Sequence, residues 1–162
     1  MVIMNLNNFN KETIYSYLEE IKDPEIPVLS IVDLGIVRDV KLTSDELEIV
    51  ITSTYTGCPA MDMIAADIRI HLNKLGFPKI KISTIISPAW TTDWISADGK
   101  MKLKNYGIAP PNKRFLIARD GVDCPHCQST NTRLISEFGS TACKSLFQCN
   151  DCCEPFDYFK CH

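Results

Sequence analysis

The sequence predicts an α+β chain in two parts: a small α/β domain with a three-stranded sheet and helices, then a β appendage organised by paired cysteines. Three observations predict it. The 162 residues suffice for one core of ordinary size plus a small second unit. The first hundred or so residues alternate helix-period and strand-period apolar patterns. Seven of the eight cysteines lie beyond Asp123.

The first helix starts after Asn10, a suitable N-cap, and carries Ile14, Tyr17, Leu18 and Ile21 as its apolar stripe, with Phe9 placed to staple onto Ile14. Pro24 and Pro27 in "DPEIP" stop it. Ile36 to Leu42 and Leu47 to Thr54 favour strand, and "TSDE" between them makes a hairpin. "TGCPAMDMIAADIRIHLNKLG" repeats Met61, Ile64, Ala65, Ile68, Leu72 and Leu75 at helical spacing until Gly76. Lys79 to Ile86 supplies the third strand, and "TTDWISADGKMKLKNYG" is expected to close this domain as a shorter helix. These boundaries give a first domain at 1–108, a linker at 109–122 and a cysteine-rich domain at 123–162.

Cys124-Pro-His-Cys127 and Cys149-Asn-Asp-Cys152 are two Cys-x-x-Cys pairs separated by 21 residues, the spacing of a zinc ribbon. Each pair folds into a knuckle presenting two thiolates, and two knuckles make a tetrahedral sulfur cage. Some forty residues hold too little core to fold unaided, so a structural zinc is expected to supply the missing free energy. An iron-sulfur cluster is the next alternative, and a disulfide framework ranks last in a reducing compartment. "TRLISEF", "ACKSLFQ" and "EPFDYFK" read as its strands. A strand from Cys143 to Cys149 spans about 20 Å, which keeps Cys143 off the metal. Reversal at the second knuckle pairs residues near 148 with residues near 155 and sets Cys143 opposite Lys160 or Cys161. Cys143 and Cys161 are therefore expected as a cross-strand thiol pair with His162 nearby, the alternative being two half-buried small hydrophobes. Cys153 is expected to point elsewhere, and His126 to be solvated.

Cys58, the one cysteine before Cys124, lies between a strand end and a helix start. With Pro59 at the first helical position, Cys58 becomes the expected N-cap, where free N–H groups favour a thiolate. A buried capping thiol is the alternative. No histidine is well placed as its base, since His71 falls nearly four turns further along the same helix. Asp23, Glu25 and Asp33 are explained by turn chemistry as well as by acid-base work. The formal charge of −3, without a Lys/Arg run, gives no footprint for nucleic acid. The absence of a long apolar segment predicts no membrane association and a cytoplasmic location.

"DPEIPVLSIVDLGIV" and "TSTYTGCP" resemble the SufT-like iron-sulfur assembly and carrier family over roughly the first hundred residues. "SPAWTTDWIS", "YGIAPP", "SEFGSTACKSLFQC" and "CEPFDYFKCH" resemble the D-subunit family of the ring-1,2-phenylacetyl-CoA epoxidase system, over nearly the whole chain. The resemblance implies a non-catalytic accessory component of aerobic phenylacetate degradation, helping to mature a metal centre in the di-iron oxygenase subunit or the flavin and iron-sulfur reductase. It places the assembly cysteine on Cys58, the acidic-proline motif on Asp23 and Pro24, and the ribbon ligands on Cys124, Cys127, Cys149 and Cys152. The implied cargo at Cys58 is iron or an iron-sulfur cluster, held transiently, and a homodimer would bring two copies of Cys58 together. The alternatives are a structural or regulatory zinc-binding subunit and, third, a thiol enzyme using Cys58 as nucleophile.

Overall fold

The computed structural model describes residues 9–111 and 121–160. The chain divides into two compact units between Ser96 and Ala97.

The first unit is a three-stranded sheet packed by two helices. Helix α1 (Lys11–Leu18) is capped by Asn10, whose side chain accepts from the Thr13 N–H at 2.8 Å, and it buries Ile14 and Leu18. Phe9 packs on Phe77, ring centroids 5.0 Å apart, with Tyr17 edge-on to the same ring. Phe9 thus meets an aromatic that lies just beyond the second helix. Strands β1 (Val37–Leu42) and β2 (Leu47–Thr52) form the antiparallel hairpin, with a bulge between Val37 and Asp39. Helix α2 (Ala60–Lys74) then returns the chain, and β3 (Ile80–Ile85) lies parallel to β2. Parallel pairing requires such a crossover, and it makes β2 the central strand of the order β1-β2-β3. Ile64, Ile68 and Leu72 of α2 and Leu47, Ile49 and Ile51 of β2 are all but fully buried.

The segment after β3 is anchored by polar contacts before the expected shorter helix begins at Ala97. Trp90 Nε1 donates to the Leu34 carbonyl at 2.8 Å, Thr92–Trp94 form a single 3-10 turn, and Arg38 lies 3.5 Å over the Trp94 ring. Asp33 accepts from the Ser30 N–H and from Ser96 Oγ, both at 3.0 Å. Gly35 sits at φ +66°, and a Cβ there would come within 2.7 Å of both Cβ and the carbonyl oxygen of Trp94.

The second unit begins earlier than the sequence reading placed it. Helix α3 (Ala97–Asn105) belongs to it, and β4 (Ile108–Ala109) pairs in parallel with the last strand, Ile108 opposite Asp157. A boundary at 109 would cut that pairing, and a linker at 109–122 would exclude Ala109 and Val122, which sit in the unit's apolar cluster. Strands β5 (Thr132–Ser136), β6 (Lys144–Cys149) and β7 (Pro155–Phe159) complete a sheet of order β4-β7-β6-β5. Phe147 packs on Phe156 and Tyr158 with ring centroids 6.0 and 5.7 Å away. This tail therefore has an apolar core that includes Cys124 and Cys149. Among the described residues no helix is long and apolar enough to cross a membrane.

Two outcomes follow from the first unit. Gly35→Ala forces both a left-handed alanine and an overlap with Trp94, and is expected to destabilise that unit by about 2 kcal/mol in chemical denaturation. Glu48 on β2 accepts from Ser83 Oγ at 2.5 Å and pairs with Lys81 and Lys41 at 2.9 and 3.3 Å. These contacts, Ser83 first, hold its carboxyl down to about 2 from an ordinary 4.5. A depressed carboxylate stabilises the folded state above its unfolded value and loses that contribution as pH falls toward the folded one. Thermal stability of the first unit should thus decline between about pH 4.5 and 2, and Glu48→Gln should flatten that limb of the pH profile.

Candidate metal centre

The two cysteine knuckles lie at one end of the β5-β6-β7 sheet. In the first, the Gln128 N–H donates to the Cys124 carbonyl and the Cys124 N–H to the Ser129 carbonyl, both at 2.9 Å. In the second, the Cys152 N–H points at Cys149 Sγ at 3.5 Å, and the Cys149 N–H closes on the Glu154 carbonyl at 3.0 Å. The residue after each knuckle's second cysteine turns left-handed, Gln128 at φ 65° and Cys153 at φ 64°.

The Sγ atoms of Cys124, Cys127, Cys149 and Cys152 all lie within 4.8 Å of one another. Cys127 and Cys149 are 3.5 Å apart, and Cys124 and Cys152 are 3.8 Å apart. A disulfide needs about 2.05 Å, and the described cysteines are all free. Four thiolates about 2.3 Å from a tetrahedral ion would be separated by roughly 3.8 Å. The donor set and its spacing therefore fit one soft-tolerant cation. A cluster that attaches each cysteine to a different iron spreads the sulfurs further.

The acidities agree with a cage waiting for positive charge. Cys149 is held down to about 7, first by the Cys152 N–H and then by the Asp151 N–H, against the cost of desolvation. Cys152 goes the other way: the Glu154 N–H lowers it, but burial and the sulfurs of Cys149, Cys127 and Cys124 push it up to about 12. Cys127 is also raised, burial and Cys149 outweighing the Ser129 N–H. One thiolate forms readily and its neighbours resist a second charge. A divalent ion removes that repulsion, and each thiol that binds gives up its proton.

Cys153, adjacent to a ligand, is exposed and stands outside this group. Around the cage the sequence reading missed Ser129, Asn131, Asn150 and Asp151, which hydrogen-bond across the two knuckles. Asn and Asp inside the second Cys-x-x-Cys were the available signal. His126 is exposed, as expected.

The β6-β7 ladder runs from Gln148 opposite Pro155, beside the second knuckle, to Lys144 opposite Phe159 at the far end, where the Lys160 N–H donates to the Cys143 carbonyl at 3.0 Å. Cys143 is buried, its sulfur 3.0 Å from Thr141 Oγ1. Its expected partner Cys161, like His162, lies outside the described residues.

In the first unit, Cys58 is half-buried and does not cap α2. Its carbonyl accepts from the Met61 N–H, three residues on, so the regular helix starts one residue later and Pro59 occupies the N-cap position. Gly57 beside it has φ +78° and open space around it. Asp23 is buried, and its Oδ1 accepts from the N–H groups of Glu25 and Ile26 at 2.9 and 2.8 Å. His71 Nε2 stands 3.5 Å from a Glu20 carboxylate oxygen without completing a hydrogen bond. Among the described residues, neither Cys58 nor Asp23 joins a group of three or more candidate ligands.

Replacing any one of Cys124, Cys127, Cys149 or Cys152 by serine should abolish stoichiometric zinc in the purified protein. Cys153→Ser should leave one ion per chain, and elemental analysis with thiol titration distinguishes the two adjacent positions.

Comparison with known proteins divides the chain in the same way. Residues 11–79 match the family model described as iron-sulfur cluster assembly protein, and residues 109–160 match the PaaD zinc beta ribbon domain. The second match begins within β4 and leaves out α3. Over the first unit the chain is 37% identical to an Fe-S protein maturation auxiliary factor of Bacillus subtilis, covering 57% of this chain and 92% of that one. It also resembles a solved domain of unknown function, DUF59, from Bacillus anthracis, with TM-score 0.54 and 30% identity over 57% of this chain and 90% of that one. A protein of Escherichia coli K12, named as the D subunit of a 1,2-phenylacetyl-CoA epoxidase, is 48% identical over 150 residues and 91% of each chain. With that identity across both units, the chain belongs to the family of phenylacetyl-CoA epoxidase D subunits.

Proposed function

We propose that this chain is a cytoplasmic accessory subunit of a multicomponent phenylacetyl-CoA epoxidase, without catalytic activity of its own, that assists assembly of an iron or iron-sulfur centre in the oxygenase or reductase subunit. The observation that carries this reading is Cys58. The unit shared with proteins named as Fe-S maturation factors holds this one cysteine, half-buried at a strand-to-helix junction beside an unencumbered glycine. A soft ligand in that position can take iron or a cluster as cargo and still be approached by a client. Cys124, Cys127, Cys149 and Cys152 would hold a zinc ion, which supplies the ribbon with folding free energy and no redox chemistry.

A structural or regulatory zinc-binding subunit without metal transfer is the second reading. Asp23 favours it, because its buried carboxylate is already occupied with the backbone of its own turn.

Co-production of the epoxidase subunits with wild-type protein, with Cys58→Ser, or without the protein separates the two. Iron and labile sulfide would be measured in the isolated oxygenase and reductase, alongside epoxidation of phenylacetyl-CoA. Under the maturation reading Cys58→Ser lowers metal content to the level found without the protein, while its own zinc is retained. Full metal loading with Cys58→Ser would establish the second reading instead.

A further inference from the structure

The two knuckles are joined by contacts that involve no sulfur. Asp151, inside the second knuckle, accepts from Ser129 Oγ through one carboxylate oxygen and from Asn131 Nδ2 at 2.8 Å through the other. Ser129 Oγ accepts the Asn131 N–H at 3.0 Å. Asn150 adds two more bonds, its N–H to the Asn131 carbonyl at 2.8 Å and its Nδ2 to Asn131 Oδ1 at 2.9 Å. Ser129 and Asn131 lie on the chain leaving the first knuckle, whereas Asn150 and Asp151 fill the interior of the second. Four of these bonds therefore cross from one knuckle to the other.

We propose that this clasp presets the spacing of the four sulfurs, with Asp151 as its positioning residue: it does not touch the ion, and it sets how tightly and how long the cage holds one. The inference rests on the reading of the cage as a single-cation site. The ladder between β5 and β6 stops at Thr132 opposite Cys149. Beyond it the first knuckle is placed by its own turn, by the packing of Val122 and Cys124 in the apolar cluster, by the bond from Thr132 Oγ1 to the Val122 carbonyl at 2.7 Å, and by the clasp, which extends the ladder by one pair, Asn131 with Asn150. Charge does not explain an acid here, because four thiolates around a divalent ion already carry a net negative charge. Geometry does: a carboxylate takes both donors at once, one on each oxygen. Groups that hydrogen-bond a metal's own ligands are worth about 10- to 100-fold in affinity; the Asp151 carboxylate acts one step further out, through Ser129 and Asn131, so about 10-fold is its upper bound.

The test uses the full-length chain loaded with zinc, and separately with cobalt(II). Affinity is read by competition with a chromophoric chelator, residence time by the rate of zinc transfer to excess chelator, and cage geometry by the cobalt ligand-field bands. Asp151→Ala is expected to weaken affinity up to about 10-fold, mainly through faster release, and to shift the cobalt bands, while circular dichroism of the loaded protein stays that of wild type. Ser129→Ala should act in the same direction and add little on top of Asp151→Ala, since both open one clasp. Asp151→Asn, which keeps the shape and an acceptor for Asn131, should recover part of the loss. Should Asp151→Ala fail to fold even with metal, Ser129→Ala, which leaves the Asp151–Asn131 bond, carries the test. Wild-type release rates in the variants, or independent addition of the two effects, would overturn the clasp. Absence of stoichiometric zinc or cobalt in the wild-type chain would instead overturn the single-cation reading beneath it.

Discussion

Four sulfurs held within 4.8 Å of one another cannot all ionise without a cation between them. The second unit is organised around that constraint. Its apolar cluster runs from Phe147, Phe156 and Tyr158 directly to the buried Cys124 and Cys149, so the packing that orders the sheet also brings one thiol of each knuckle to the same point. Cys127 and Cys152 complete the group. Core and cage are therefore not separable contributions: withdrawing the ion leaves mutually repelling groups against the same residues that the aromatic rings cover.

The first unit follows a different logic, in which a polar turn rather than a metal fixes the chain. Asp23 and Asp33 each commit their carboxylates to nearby backbone or hydroxyl donors, and together they hold the irregular stretch between α1 and β1 in place. Gly35 then lets Trp94 approach the backbone, and Arg38 stacks on that ring. Cys58 lies beyond the end of the central strand, half-buried, and among the described residues it joins no group of three or more candidate ligands.

A good part of this was readable in the residues. Period-two alternation located β2 and β3, and helical spacing located α2, because burial on one face leaves that imprint on any sequence that folds so. The spacing of the paired cysteines identified the cage ligands, and strand arithmetic placed residue 148 against 155. The recruitment of β4 into the second unit was not readable. Ile108 and Ala109 make a strand of two residues, too short for any periodicity, followed by two prolines that read as a linker. The helix cap at Cys58 was misplaced by one position, because the Pro59 preference says where a helix can start and not which carbonyl closes its first turn.

The sequence by itself determined the chemistry available to this protein: four thiols in knuckle spacing and a lone cysteine after the central strand. Tertiary structure decided which of those groups meet. It set Cys152 rather than Cys153 in the cage, turned Asp23 toward its own backbone, recruited β4 and Val122 into the ribbon, and joined the knuckles through Asp151. The physical reason is that local pattern records the burial a residue needs, whereas hydrogen-bond partners are chosen only when distant segments arrive, and each donor or acceptor then takes whichever partner lies within about 3 Å.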